Sequence, residues 1–220
     1  MAKQLNAMSD NHLHNNHPVV QEYSRLASDY DVKWSFYIQA TTQETLNRFK
    51  LQPTDRVLDV GCGTGILLQQ LALTYPQSRL FGVDPVPEML QVARQRLPAT
   101  IELSQGWAQK LPFEDEQFDV VISCNMFHYI HQPMTALQEM RRVLRSGGEL
   151  VITDWCDDYW TCRIFDIFLR RFDRAHFKTY GEQECRRILE DAGYNDVYIE
   201  RYKINWFWGL MTAKTVKHAA

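Results

Sequence analysis

Three glycines alternate with single residues in VLDVGCGTG, residues 57–65, directly after a short apolar run. Few features constrain a fold more. The apolar run reads as a strand and the following GILLQQLALTY as a helix, with its apolar face at Ile66, Leu67, Leu71 and Leu73. The glycines between them leave backbone amides bare at a helix N-terminus, where the chain can approach a ligand closely. A strand entering a helix through such a turn opens a parallel α/β sheet, and ligands on those sheets sit at the carboxyl ends of the strands.

The alternation continues along the chain. RLFGVD predicts a second strand, and Pro87 opens a helix over EMLQVARQRL. TIELSQG and FDVVISCN predict a third and a fourth strand. Met134, Leu137, Met140, Val143 and Leu144 form a helical stripe that RSGG should stop, ahead of a fifth strand in GELVITD. A helix over roughly residues 159–174 and another over EQECRRILEDAG, closing at Gly193, follow. The tail DVYIERYKINWFWGLMTAKTV holds two strand-like runs with no helix between them, so it should pair as an antiparallel hairpin on the sheet edge. The fold expected is α/β: a doubly wound, Rossmann-like seven-stranded sheet with an antiparallel C-terminal hairpin. Residues 1–17 read as a flexible polar leader and 18–220 as one domain, its substrate lid drawn from 18–50 and 155–180. Two helices, broken near residues 29–31, are expected in the first lid segment.

The glycine spacing narrows the ligand. A phosphate loop needs GxxxxGK followed by Ser or Thr, which is absent. A dinucleotide turn needs GxGxxG, whereas this chain reads GxGxG with Ile66 next. Asp84 ends the second strand, where a carboxylate can accept both hydroxyls of a ribose. A nucleoside ligand follows from the pair.

LDVGCGTG, GVDPVPEML, GWAQKLPFEDEQFDVVIS and RRVLRSGGELVITD stand in the order of four motifs. Over about residues 23–154 the chain resembles the class I S-adenosylmethionine-dependent methyltransferases, particularly the small-molecule group related to the ubiquinone and menaquinone C-methyltransferases. The resemblance implies S-adenosylmethionine as cofactor. It places Gly61 and Gly63 against the methionine portion, with Asp59 orienting its amino group through the loop. Asp84 would hold the ribose, Met89 would cover the adenine and Ala108 would offer it a backbone amide. Trp107 stands where the family has aspartate, which leaves it to stack on the adenine or shield it. Tyr30 resembles a tyrosine that closes over the cofactor.

Composition sets the partners. A net charge of −3 provides no basic field, so no nucleic acid is expected. The longest apolar stretch, INWFWGLMTA, is about half of what a membrane helix requires, so no membrane insertion is expected. The first residues hold no apolar signal core, and five cysteines form no CxxC pair, which together read as a cytoplasmic protein with reduced thiols. His12, His14 and His17 lack a joining carboxylate or cysteine cluster, so no metal is expected there. The oligomeric state is left open.

Methyl transfer asks the protein to align a nucleophile with the reactive carbon and to exclude water. The acceptor is expected to be a small molecule. His128, just after the fourth strand, is the candidate base, against a plain structural histidine; Tyr129 is the weaker candidate. Cys62, Cys124 and Cys156 suggest arsenite as an alternative acceptor. Asp154, Asp157 and Asp158, interleaved with Trp155, Tyr159 and Trp160, suggest a rim that draws in a cation. They point to N-methylation of an amine, with Asp154 taking part. Phe165, Phe168 and Phe172 fall at core-like helical spacing, and Arg170, Arg171 and Arg174 with Asp166 and Asp173 read as a solvated face. O- or C-methylation, a nicotinamide-dependent oxidoreductase and a non-catalytic nucleoside-binding module remain as rivals.

Overall fold

The computed structural model describes residues 17–218, so the leader expected over 1–17, with His12 and His14, lies outside the described residues apart from His17. Three helices, α1 (Pro18–Leu26), α2 (Tyr30–Lys33) and α3 (Ser35–Leu46), precede the sheet. The sheet then alternates with helices: β1 (Arg56–Val60), α4 (Ile66–Thr74), β2 (Arg79–Asp84), α5 (Pro87–Arg96), β3 (Glu102–Gln105), β4 (Phe118–Cys124), α6 (Pro133–Val143) and β5 (Leu144–Trp155). Two helices, α7 (Trp160–Phe172) and α8 (Glu182–Asp191), lead to the final pair β6 (Asn195–Lys203) and β7 (Gly209–Val216).

The strand order is β3-β2-β1-β4-β5-β7-β6. The first five strands are mutually parallel, and β7 runs antiparallel to both β5 and β6. The hairpin expected at the edge is therefore present, with its second strand inserted against β5. Consecutive core residues alternate between two clusters, as strand geometry requires. Leu58, Val121, Leu150 and Ile152 join the cluster under α6 and α8, whereas Val57, Val120, Ile122 and Val151 join the one under α4 and α5. Both faces of the sheet are thus covered.

Several local expectations are corrected. Helix α4 buries Leu67, Leu68 and Leu71, and Leu73 is exposed, because the helix lies on the sheet one position round from the face expected. RSGG is the start of β5: Leu144 pairs with Phe118, and a register shift separates this pair from Val120 and Glu149. In α7, Phe165 packs inward, but Phe168 and Phe172 are 53% and 68% exposed. That helix is apolar on two faces, and among the described residues only one of them is covered. Asp166, expected on a solvated face, is buried and accepts from the Thr179 amide while pairing with Arg170 and His176.

Candidate active site

The order β2-β1-β4 makes the boundary between β1 and β4 the switch point, and a cavity opens there, at the carboxyl ends of these strands. Its floor is the glycine loop. Gly61 and Gly63 both have positive φ, +77° and +51°. A Cβ on Gly61 would strike the Met126 side chain, with Cγ 2.3 Å away. A Cβ on Gly63 would meet nothing within 4 Å, so at this position the bare backbone faces open cavity.

Two carboxylates flank the loop. Asp59, near the end of β1, is 2% exposed, lines the cavity and has no hydrogen-bond partner among the described residues. Burial, reinforced by the charge of Asp84, pushes it up to about 8. Asp84, at the end of β2, accepts from the amides of Gly63 and Val86, each at 2.9 Å. Burial still pushes it up to about 6 against those two bonds.

Helices α1 to α3 close the cavity from above. Val20 and Ala27 pack with Val86 and Met89, while Tyr23, Tyr30 and Trp107 lie against the same cluster. Thr64 in the loop donates to Asp31 of α2 at 2.7 Å, which ties the lid to the floor. The Tyr23 hydroxyl donates to that of Tyr129, and the Tyr23 ring also meets Tyr30 edge-on at 5.6 Å. Burial holds all three phenols well above their ordinary range, so they stay neutral. Asn125 follows β4 with φ +56°, a conformation asparagine tolerates better than most residues. Its side chain accepts from Tyr37 at 2.7 Å and donates to Thr41 at 2.6 Å.

Of the residues singled out from sequence, Tyr30, Asp59, Gly61, Gly63, Asp84, Met89, Trp107 and Ala108 all line this cavity. His128 and Asp154 do not. His128 is 2% exposed, stacks on Trp155 at 4.5 Å and places Nδ1 2.7 Å from Asp154 Oδ1. Its Nε2 has no hydrogen-bond partner among the described residues. Asp154 is also buried, and its carboxylate accepts from the amides of His128 and Trp155. The acidic rim expected at residues 154–158 is therefore not assembled. Asp157 pairs with Arg163, and Asp158 accepts from the Glu182 amide at the start of α8 and pairs with Arg201. No residue of 155–180 lies on the cavity wall, and Phe165 and Leu169 pack against the cluster of Tyr37 and Ile38.

The three thiols do not converge either. Cys62 and Cys124 line the cavity, whereas Cys156 faces Asp158. Among the described residues no three His, Cys, Asp or Glu side chains are grouped to hold a metal ion. Sequence reasoning missed Tyr23, Asn125, Met126 and His131 on the wall. Only Asn125 carried a local signal, as an αL-tolerant residue at a strand end.

Residues 58–152 match the methyltransferase domain family. The chain is 39% identical over 162 residues to an uncharacterized 37.1 kDa protein of a Streptomyces fradiae transposon, covering 68% of this chain and 46% of that one. It is 30% identical over 191 residues to an uncharacterized methyltransferase of Schizosaccharomyces pombe, covering 79% and 72%. The chain spans less than half the length of the first curated relatives it matches. Among solved structures, a Haloferax volcanii chain complexed with the Trm112 methyltransferase activator superposes with a TM-score of 0.80 at 22% identity, over 90% of this chain and 98% of that one.

Proposed function

The chain belongs to the class I S-adenosylmethionine-dependent methyltransferases, and we propose that its acceptor is a small amine, which it N-methylates. The cavity suits the cofactor: an unpaired buried carboxylate, Asp59, is matched to an ammonium, and the open space over Gly63 admits a close ligand. Asp84 would accept from the ribose, Met89 and Trp107 would flank the adenine, the Ala108 amide would meet its edge, and Tyr30 would cover it. The bound cofactor supplies an electrophilic methyl group on a sulfonium.

One observation carries the amine reading. Among the described residues the cavity wall holds no lysine or arginine, so no fixed cation there repels an ammonium or holds an anionic acceptor. The neutral rings of Tyr23, Tyr30 and Tyr129 add faces on which a partly desolvated cation gains about 0.5–2 kcal/mol. An ammonium must lose a proton before its nitrogen can attack. The acceptor would therefore attack as the free amine, its proton already lost to water, because His128 and Asp154 lie off the cavity wall and out of reach of it. His128 sits directly behind the wall, its ring 4.0 Å from that of Tyr129.

The test is a screen with methyl-labelled S-adenosylmethionine against primary and secondary amines, phenols, thiols and carboxylic acids, read by mass spectrometry. Labelled N-methyl products are expected. Methylation of neutral or anionic acceptors alone overturns the amine reading and leaves the family membership intact.

A further inference from the structure

Large apolar side chains left in water are unevenly distributed over this molecule. Helix α7 exposes Trp160, Ile164, Ile167, Phe168 and Phe172, each by more than half. Trp160, Ile164, Phe168 and Phe172 recur every four residues and Ile167 lies three from Ile164, which places them in one stripe along the helix. The opposite face of α7 is already used, with Phe165 and Leu169 packed on Tyr37, Trp155 and Leu210. Trp206, 76% exposed, sits at the tip of the β6–β7 hairpin, and that tip is fastened to the start of α7 by a hydrogen bond from Thr161 to the Phe207 carbonyl. Val32 and Phe36 add 81% and 58% exposed apolar surface on α2 and α3, the helices that pack against the inner face of α7 and close the cavity. Single exposed apolar residues are ordinary, but five along one helix mark a surface that meets something else.

The charges beside the stripe select the occupant. On α7 and the turns flanking it these carboxylates are engaged: Asp157 by Arg163, Asp166 by Arg170 and His176, and Asp173 by the Ala175 amide. Arg171 and Arg174 have no carboxylate partner among the described residues, and Arg171 lies over the Phe172 ring. An apolar stripe rich in tryptophan and phenylalanine, with free guanidiniums at its border, has the chemistry of a helix lying in the headgroup plane of an anionic bilayer. A second copy fits less well. A two-fold interface would bring the same patch, with its unpaired arginines, against itself.

We propose that the outer face of α7, with the hairpin tip, docks on the surface of an anionic lipid bilayer and holds the cavity lid against the headgroups. No crossing of the membrane is involved; among the described residues no helix is long and apolar enough for that.

Vesicle co-sedimentation of the full chain tests this, with phosphatidylcholine alone and with phosphatidylcholine mixed with phosphatidylglycerol. Binding to the mixed vesicles is expected to be at least about tenfold tighter than to the neutral ones, and to weaken with salt. The double variant Ile167→Asp, Phe168→Asp should lose binding to both, and Arg171→Glu, Arg174→Glu should lose the preference for the anionic vesicles. Both variants change exposed side chains outside the cavity, so circular dichroism and cofactor affinity should match the wild type. Failure of the wild type to sediment with mixed vesicles overturns the proposal, as does equal binding by the variants. A wild-type dimer in light scattering that Ile167→Asp, Phe168→Asp dissociates would assign the face to a second copy instead.

Discussion

The carboxylate of Asp84 accepts a hydrogen bond from the backbone amide of Gly63 at 2.9 Å, so the end of β2 holds the tip of the loop that follows β1. Its second oxygen accepts from Val86 and fixes the approach to α5. One buried side chain thus joins the two segments that a nucleoside would touch.

Asp84→Ala is expected to raise the cofactor dissociation constant about tenfold or more. Charge-assisted hydrogen bonds contribute about 1.5–3 kcal/mol each, and the loop loses its tie as well. Titration calorimetry on the folded variant checks this; wild-type affinity would remove Asp84 from the site.

Gly63→Val should abolish cofactor binding while leaving a folded, less stable domain. The position has φ +51°, where a β-branched residue is strained by about 1–2 kcal/mol, and its side chain would project into open cavity. The paired measurements are a thermal melt and a binding titration. Normal affinity would mean that the loop faces something other than the ligand.

Asp59 sets a pH dependence. Its carboxyl rises from 3.8 in the unfolded chain to about 8 in the folded protein, so folding takes up a proton between those values. The raised folded value means that the stability it contributes is fully present below pH 3.8 and is lost as pH rises toward 8. In ligand-free protein, Asp59→Asn should therefore gain thermal stability over the wild type as pH rises from 5 to 8. The same variant should bind the cofactor more weakly, because a cation loses its counter-charge. Parallel melting curves for the two proteins across this range would disprove the role.

Asp154 is held by three donors, two of them backbone amides, in a site 3% exposed. Asp154→Ala should cost at least about 3 kcal/mol, since each stranded donor loses on the order of 1–3 kcal/mol. At about 2–4 °C per kcal/mol for a chain of this size, the melting temperature should fall by roughly 6 °C or more. A variant that melts like the wild type and changes only the Michaelis constant for an amine would return Asp154 to the rim.

The order of strands and helices and the loop at the end of β1 were legible in the sequence because their causes are local. A strand buried on both faces reads as a continuous apolar run, and a loop that must expose amides reads as glycine. Asp84 could be placed because a strand end is a definite point in the fold. The far wall of the cavity could not be read this way. Tyr23 and Tyr129 meet across 106 residues of sequence, and nothing near either one announces the other.

Burial was decided by the tertiary structure alone. The acidic run at residues 154–158 looks like a rim, yet β5 carries Asp154 inside to hold His128, while Asp158 reaches across to the start of α8. Phe165 and Phe168 have the same helical spacing and the same chemistry, but only Phe165 has the Tyr37 and Trp155 cluster beneath it. Periodicity reports which residues could share a face. Whether that face is covered depends on the partner that the rest of the chain brings to it.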